Sequence, residues 1–242
     1  MGAPDGRIGR DLELAFLDMS GTVFHDNGIM ERAFGATLAG LGVEPGGERF
    51  RRLLDALRDT PGHSRTAVLE NHFAAEPARA RRAVRDFERH LDALVAEEGV
   101  RPVEGAEEAV GRLRRAGLQV CLATGYNRHT LNTILERLDW MGLADLSLCP
   151  SDAGRARPWP DMVLTAVLAL DVGDVRRVLV VGDTVADVQA GLRAGSTAVV
   201  GVRTGAHDAA ALRRAGAHVV VDSVRDVPDL VGASPLSPAR TG

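Results

Sequence analysis

No lysine occurs anywhere in the 242 residues, so all 29 basic side chains are arginine. Chemistry that needs a free amine, such as imine formation with a carbonyl, is therefore excluded, because a guanidinium stays protonated. The abundance of alanine, glycine and valine beside the arginines fits a high-GC coding bias as the origin. Cysteine is nearly absent. Cys121 and Cys149 lie in apolar runs without metal-ligand spacing, which predicts buried reduced thiols rather than a disulfide or zinc site, and a cytoplasmic protein. Basic charge is not in excess: 33 acidic residues leave a net charge of −4, the wrong balance for gripping nucleic acid. No run is long and apolar enough to span a bilayer, and the N-terminus lacks the apolar stretch of an export signal, so no membrane partner is expected.

What is present is enough for an α/β core plus a smaller accessory domain, at 45% hydrophobic residues. Short apolar runs at 12–17, 118–123, 146–149, 178–181, 198–202 and 218–221 read as buried parallel strands. Helical periodicity separates them at 104–116, 128–141, 161–170, 185–194 and 207–215. That alternation predicts a doubly wound parallel sheet, a Rossmann-like α/β core. Residues 28–99 break it, with helices expected at 29–41, 48–57, 64–73 and 77–98 and glycine–proline turns between. The expected division is a core of 11–27 and 100–232, a helical cap domain of 28–99 inserted after the first strand, and disordered tails at 1–10 and 233–242. Such an insertion would lie over the C-terminal edge of the strands, where open α/β sheets bind ligands.

Three segments fall at the ends of predicted strands: Asp18-Met-Ser-Gly-Thr22, Thr124-Gly125-Tyr126 and Gly182-Asp-Thr-Val-Ala-Asp187. Asp18, bare on a tight turn, has the chemistry to attack phosphorus, while the Thr124 hydroxyl and neighbouring backbone N–H groups hold phosphoryl oxygens. Asp183 and Asp187 offer hard oxygen ligands of the kind magnesium prefers. Each segment alone is ordinary turn or capping chemistry, and only their combination points to a site.

The combination resembles the haloacid dehalogenase-like hydrolase superfamily, whose pattern is Asp-x-x-x-Thr after the first strand, Ser or Thr after the second, a Lys or Arg, then an acidic pair. Gly154-Arg-Ala-Arg-Pro-Trp-Pro-Asp-Met162 and Gly201-Val-Arg-Thr-Gly-Ala-His207 are similar to segments of its phosphonatase-like branch. The resemblance implies Asp18 as nucleophile, Thr124 and Gly125 at the phosphate, and Mg2+ held by Asp18, Ser20, Asp183 and Asp187. It implies Arg157 as the cation joining Asp18 to the phosphate, with Arg155 the alternative and Trp159 packed beside Arg157. The substrate implied is a small phosphorylated or phosphonate metabolite, taken by a monomer or homodimer.

Two departures matter. Most phosphatases of the superfamily carry an acid/base Asp two residues after the nucleophile, and that position is Ser20, whose hydroxyl cannot share a proton near neutrality. Phosphonoacetaldehyde hydrolases lack that Asp too, but use a cap lysine as a Schiff base. The corresponding stretch here is Gly62-His-Ser-Arg65, so that route is closed. Arg65 remains available for a second anionic group. His63 or His25 can carry a proton near neutrality, the other reading being solvated loop histidines. Tyr126 either lines the pocket or packs, and Arg79-Ala-Arg-Arg82 is expected as a solvated helix face. Three functions stay open: a phosphatase, a hydrolase of phosphonate C–P or other activated bonds, and a catalytically weak member that binds a phosphorylated ligand.

Overall fold

The computed structural model describes residue 8, residues 11–58 and residues 65–232, with backbone alone at 58 and 65–67. The expected tails, apart from residue 8, lie outside the described residues; so do His63 and the side chain of Arg65. The chain opens with β1, Leu14–Asp18, and a short β2, Phe24–His25. Four helices follow: α1 Ile29–Gly40, α2 Glu48–Arg58, α3 Arg65–His72 and α4 Pro77–Glu98. After β3 (Arg101–Pro102) the order is α5 Ala106–Arg115, β4 Gln119–Ala123, α6 Arg128–Arg137 and β5 Leu146–Leu148. Then come α7 Asp161–Ala169, β6 Val178–Gly182, α8 Val185–Ala194 and β7 Ala198–Val202. The described part closes with α9 Ala209–Arg214, β8 Val219–Val221 and α10 Val227–Leu230.

The principal sheet is six-stranded and wholly parallel, in the order β5-β4-β1-β6-β7-β8. Its strands are apolar on both faces because helices cover both. In β1, Ala15 and Leu17 join the apolar cluster on one face and Leu14 and Phe16 the cluster on the other, as the two-residue period of a strand requires. The first cluster runs on into α1 and α4, where Phe34 and Phe87 meet edge to face at 6.0 Å.

Register then places the chemistry. Asp18 pairs with Ala123, so Thr124 lies one residue beyond Asp18's level on β4. Leu17 pairs with Val181, which brings Asp18 level with Gly182 and Asp183 just past it. Because the strands are parallel, all three emerge at one edge, where the order departs to opposite sides of β1.

Three details differ from what the sequence predicts. A two-stranded antiparallel ribbon joins Phe24 to Pro102 and His25 to Arg101, bringing together the two segments that bracket α1–α4. The helix expected to reach 141 stops at Arg137, since Asp139 adopts a left-handed φ of 56°. Trp140 still packs into the core from the following turn and donates to Glu107 at 2.8 Å. Arg79 is not a solvated helix residue: its guanidinium donates to the Leu41 carbonyl at 2.8 Å and sits 4.8 Å over the Phe73 ring, tying α4 to the end of α1 and to α3. No helix among the described residues is long and apolar enough to cross a membrane. Cys121 and Cys149 are buried free thiols, and burial pushes both thiol pKa values up.

Candidate active site

Asp18, at the end of the central strand, is 4% exposed, on the floor of a cavity of about 510 Å³. The turn that follows is tight: Gly21 takes φ 85°, and a Cβ there would meet Asp183 Oδ2 at 2.6 Å. A side chain at Gly21 is thus barred by both conformation and space. Thr22 donates its hydroxyl to Asp183 Oδ1 at 3.3 Å, which links the turns after β1 and β6.

Asp183 receives a second hydrogen bond, from the Ala206 N–H to Oδ2 at 2.7 Å. Asp187 occupies the third position of α8. Its Oδ2 accepts from Thr184 N at 3.0 Å and Thr184 Oγ1 at 2.5 Å, while the Thr184 hydroxyl oxygen accepts from Asp187 N at 3.2 Å. This reciprocal cap uses one carboxylate oxygen to start the helix and leaves Oδ1 for the site. That oxygen and Asp18 Oδ1 both accept from one Arg157 nitrogen, in an ion pair whose three members are at most 6% exposed.

The three carboxylates present oxygens all within 4.8 Å of one another. Burial raises the Asp18 pKa well above the usual carboxylate range. Arg157 opposes that rise, and the charges of Asp187 and Asp183 add to it. Asp183 is pushed up to about 6, by burial and then by Asp187. For Arg157, burial disfavours the charge, but Asp18 and Asp187 outweigh it and raise its pKa. One guanidinium against three buried carboxylates leaves excess negative charge, and the donors are all hard oxygens. That set fits a divalent cation such as Mg2+.

Thr124 is buried beside Asp18, and its hydroxyl oxygen accepts from Tyr126 N at 3.2 Å, leaving the hydroxyl proton to donate elsewhere. Asn127 caps α6 through Thr130 N at 2.8 Å and so fixes the turn carrying Thr124, Gly125 and Tyr126. All three of those residues line the cavity. Tyr126 is 6% exposed, and its hydroxyl lies 3.5 Å from Ser20 Oγ. His25 lies on the rim of the same cavity. Arg155 does not reach Asp18: it pairs with Asp161 at 2.9 Å on the surface. Trp159 packs away from Arg157 as well, lying 47% exposed between Arg155 and Arg193, whose guanidinium carbons are 4.5 and 5.3 Å from its ring. Thr204, Gly205 and Ala206 also line the cavity; they belong to the family-like segment Gly201–His207, whose residues the sequence alone gave no role.

Residues 12–195 match the family model of the haloacid dehalogenase-like hydrolases. The chain belongs to that family. Among curated relatives, the phosphonoacetaldehyde hydrolase of Hahella chejuensis is 35% identical over 158 residues, 55% of this chain and 53% of that protein. A phosphonoacetaldehyde hydrolase-like protein of Syntrophobacter fumaroxidans is 30% identical over 152 residues, 53% and 55% of the two chains. The chain thus spans about half the length of these haloacid dehalogenase-like relatives. Among solved structures, a hydrolase from Pseudomonas syringae superposes with TM-score 0.76 at 21% identity, over 91% of this chain and 98% of that one. A phosphonoacetaldehyde hydrolase-like protein from Oleispira antarctica gives 0.74 at 22% identity, over 98% and 100%. These superpositions establish the haloacid dehalogenase-like fold.

Proposed function

We propose that this hydrolase is a phosphatase of small metabolites that works through an aspartyl phosphate on Asp18. The observation that carries the reading is the buried Asp18–Arg157–Asp187 ion pair, with Asp183 beside it, on the floor of the cavity. Mg2+ held by Asp18, Asp183 and Asp187, with Ser20 alongside, would offset the charge of the incoming phosphate. Asp18 attacks phosphorus, the bond to the leaving oxygen breaks, and water then cleaves the acyl phosphate to restore the carboxylate. Thr124 donates its hydroxyl to a phosphoryl oxygen, and Gly125 keeps the approach open. Arg157 opposes the rise in the Asp18 pKa and holds the carboxylate aimed, which its planar fork suits.

Ser20 stands where a carboxylic acid would protonate the leaving group, and the Tyr126 phenol beside it is the proton carrier we assign to that side. Phenols as a class are weak acids for this task, which supports slow or narrow turnover on leaving groups of low basicity. Helices α1–α4 act as the cap that selects the substrate, a role supported by Met30 of α1 lining the cavity next to Asn27 and Gly28, which lead into that helix. His63 and Arg65 are assigned to substrate binding on residue chemistry alone, as a proton carrier and an anion partner. Buried free thiols support a cytoplasmic setting.

Cleavage of a phosphonate C–P bond is the second reading, favoured by the likeness to phosphonoacetaldehyde hydrolases. The absence of lysine closes the imine route to it. A panel of phosphate esters and phosphonates, with and without Mg2+, decides between them. The phosphatase reading expects Mg2+-dependent ester hydrolysis that is lost in Asp18→Asn and raised in Ser20→Asp. Turnover of phosphonates alone, or intact turnover in Asp18→Asn, would refute it.

A further inference from the structure

The loop between β7 and α9 reaches the reaction edge through Thr204–His207, and its last residue has no role in the steps above. Thr204 Oγ1 donates to the Gly21 carbonyl at 2.6 Å, and the Ala206 N–H to Asp183 Oδ2 at 2.7 Å. His207 makes two contacts with one short turn. Its backbone N–H donates to the Asp183 carbonyl at 3.2 Å, and its Nδ1 accepts from the Val185 N–H at 3.2 Å. Val185 is the first residue of α8, where an N–H has no partner inside the helix. His207 thus closes a ring around Asp183, Thr184 and Val185, fixing the peptide groups on both sides of the carboxylate's turn. The acceptor role places the ring proton on Nε2.

We propose that His207 is a positioning residue for the metal-holding carboxylate Asp183. The inference rests on the Mg2+ site assigned under the phosphatase reading. It follows from geometry: Asp183 Oδ2 is already held by Ala206, so any freedom left to the carboxylate lies in the backbone of its own turn. His207 removes that freedom from the far side of the ligand. Groups that orient a ligand in this way typically hold about tenfold to hundredfold of metal affinity.

The test is calorimetric titration of Mg2+ alone into the metal-free full chain. His207→Ala should weaken binding by about tenfold. His207→Asn should restore it, because the amide oxygen, like Nδ1, is carried on Cγ and accepts an N–H. Val185→Pro deletes the donor of the same bond at a first-turn position that proline suits, after a Thr184 already extended at ψ 155°. It should weaken binding comparably, and the double variant should lose no more than either single one. A residue that merely stabilised the fold would lower the melting temperature of His207→Ala and leave the affinity of the folded protein unchanged. Wild-type binding with His207→Ala within about twofold of it overturns the inference while the metal site stands. If wild type binds no Mg2+, the metal site fails and the inference with it. If His207→Ala does not fold, Val185→Pro decides, and affinity within about twofold of wild type there overturns the proposal.

Discussion

Replacing Arg157 by alanine should destabilise the metal-free protein, by an amount that grows with pH. The guanidinium is 5% exposed and serves two carboxylates that are equally out of water. Removing one member of a buried ion pair typically costs about 3–5 kcal/mol, because the partner charge is left in a medium that cannot solvate it. The carboxylates have an escape in protonation. Burial already raises the Asp18 pKa, and Arg157 is the chief influence holding it down, so Arg157→Ala sends it higher. The sign follows: a group whose folded pKa exceeds its unfolded value adds stability below the unfolded pKa and loses it as pH rises through the folded one. The penalty is therefore larger at pH 8 than at pH 5, with Asp183 ionised above its value of about 6. At pH 5 protonation relieves much of it. Urea unfolding in chelator at both pH values measures the difference. A loss below about 1 kcal/mol at pH 8, or one independent of pH, would refute the claim that Arg157 neutralises this cluster.

The same titration predicts that the rise in melting temperature on adding Mg2+ is larger at pH 7.5 than at pH 5, because protons compete for Asp183 below its pKa of about 6. Thermal scans at the two pH values check it, and an equal rise would place the ion elsewhere. Thr184→Ala removes the side-chain N-cap of α8 and one of the two hydrogen bonds on Asp187 Oδ2, the residue's backbone N–H keeping the other, so it should cost about 1 kcal/mol in chemical unfolding and also weaken Mg2+ binding. Gly205→Ala puts a Cβ into the Asp183 carboxylate and should abolish Mg2+-dependent turnover in a chain that still folds, as judged by circular dichroism with a substrate assay.

The core was legible because parallel strands are buried on both faces. Runs such as Leu14–Asp18 and Val178–Gly182 therefore stand out without help from partners. The motif residues were legible for a related reason: each follows such a strand, and parallel register carries all of them to one edge. The Phe24–His25 ribbon was not, since two residues have no periodicity and their partners lie far along the chain. The end of α6 was misjudged because apolar spacing continues into Trp140, which packs the core from a turn. His207 ends a family-like segment, Gly201-Val-Arg-Thr-Gly-Ala-His207, but its contact is not readable from it, for a third reason. It binds backbone groups of a distant turn, and no residue pattern marks an acceptor whose donor is another segment's N–H. Arg155 and Arg157 look alike in sequence, and only the fold shows one paired with Asp161 on the surface and the other sealed against Asp18.

Acid-quenched mass spectrometry of the protein turning over a phosphate ester with Mg2+ tests the central claim most directly. A phosphoryl adduct on the peptide carrying Asp18, absent in Asp18→Asn, is the predicted result. An adduct on any other residue, or undiminished turnover by Asp18→Asn, would contradict it.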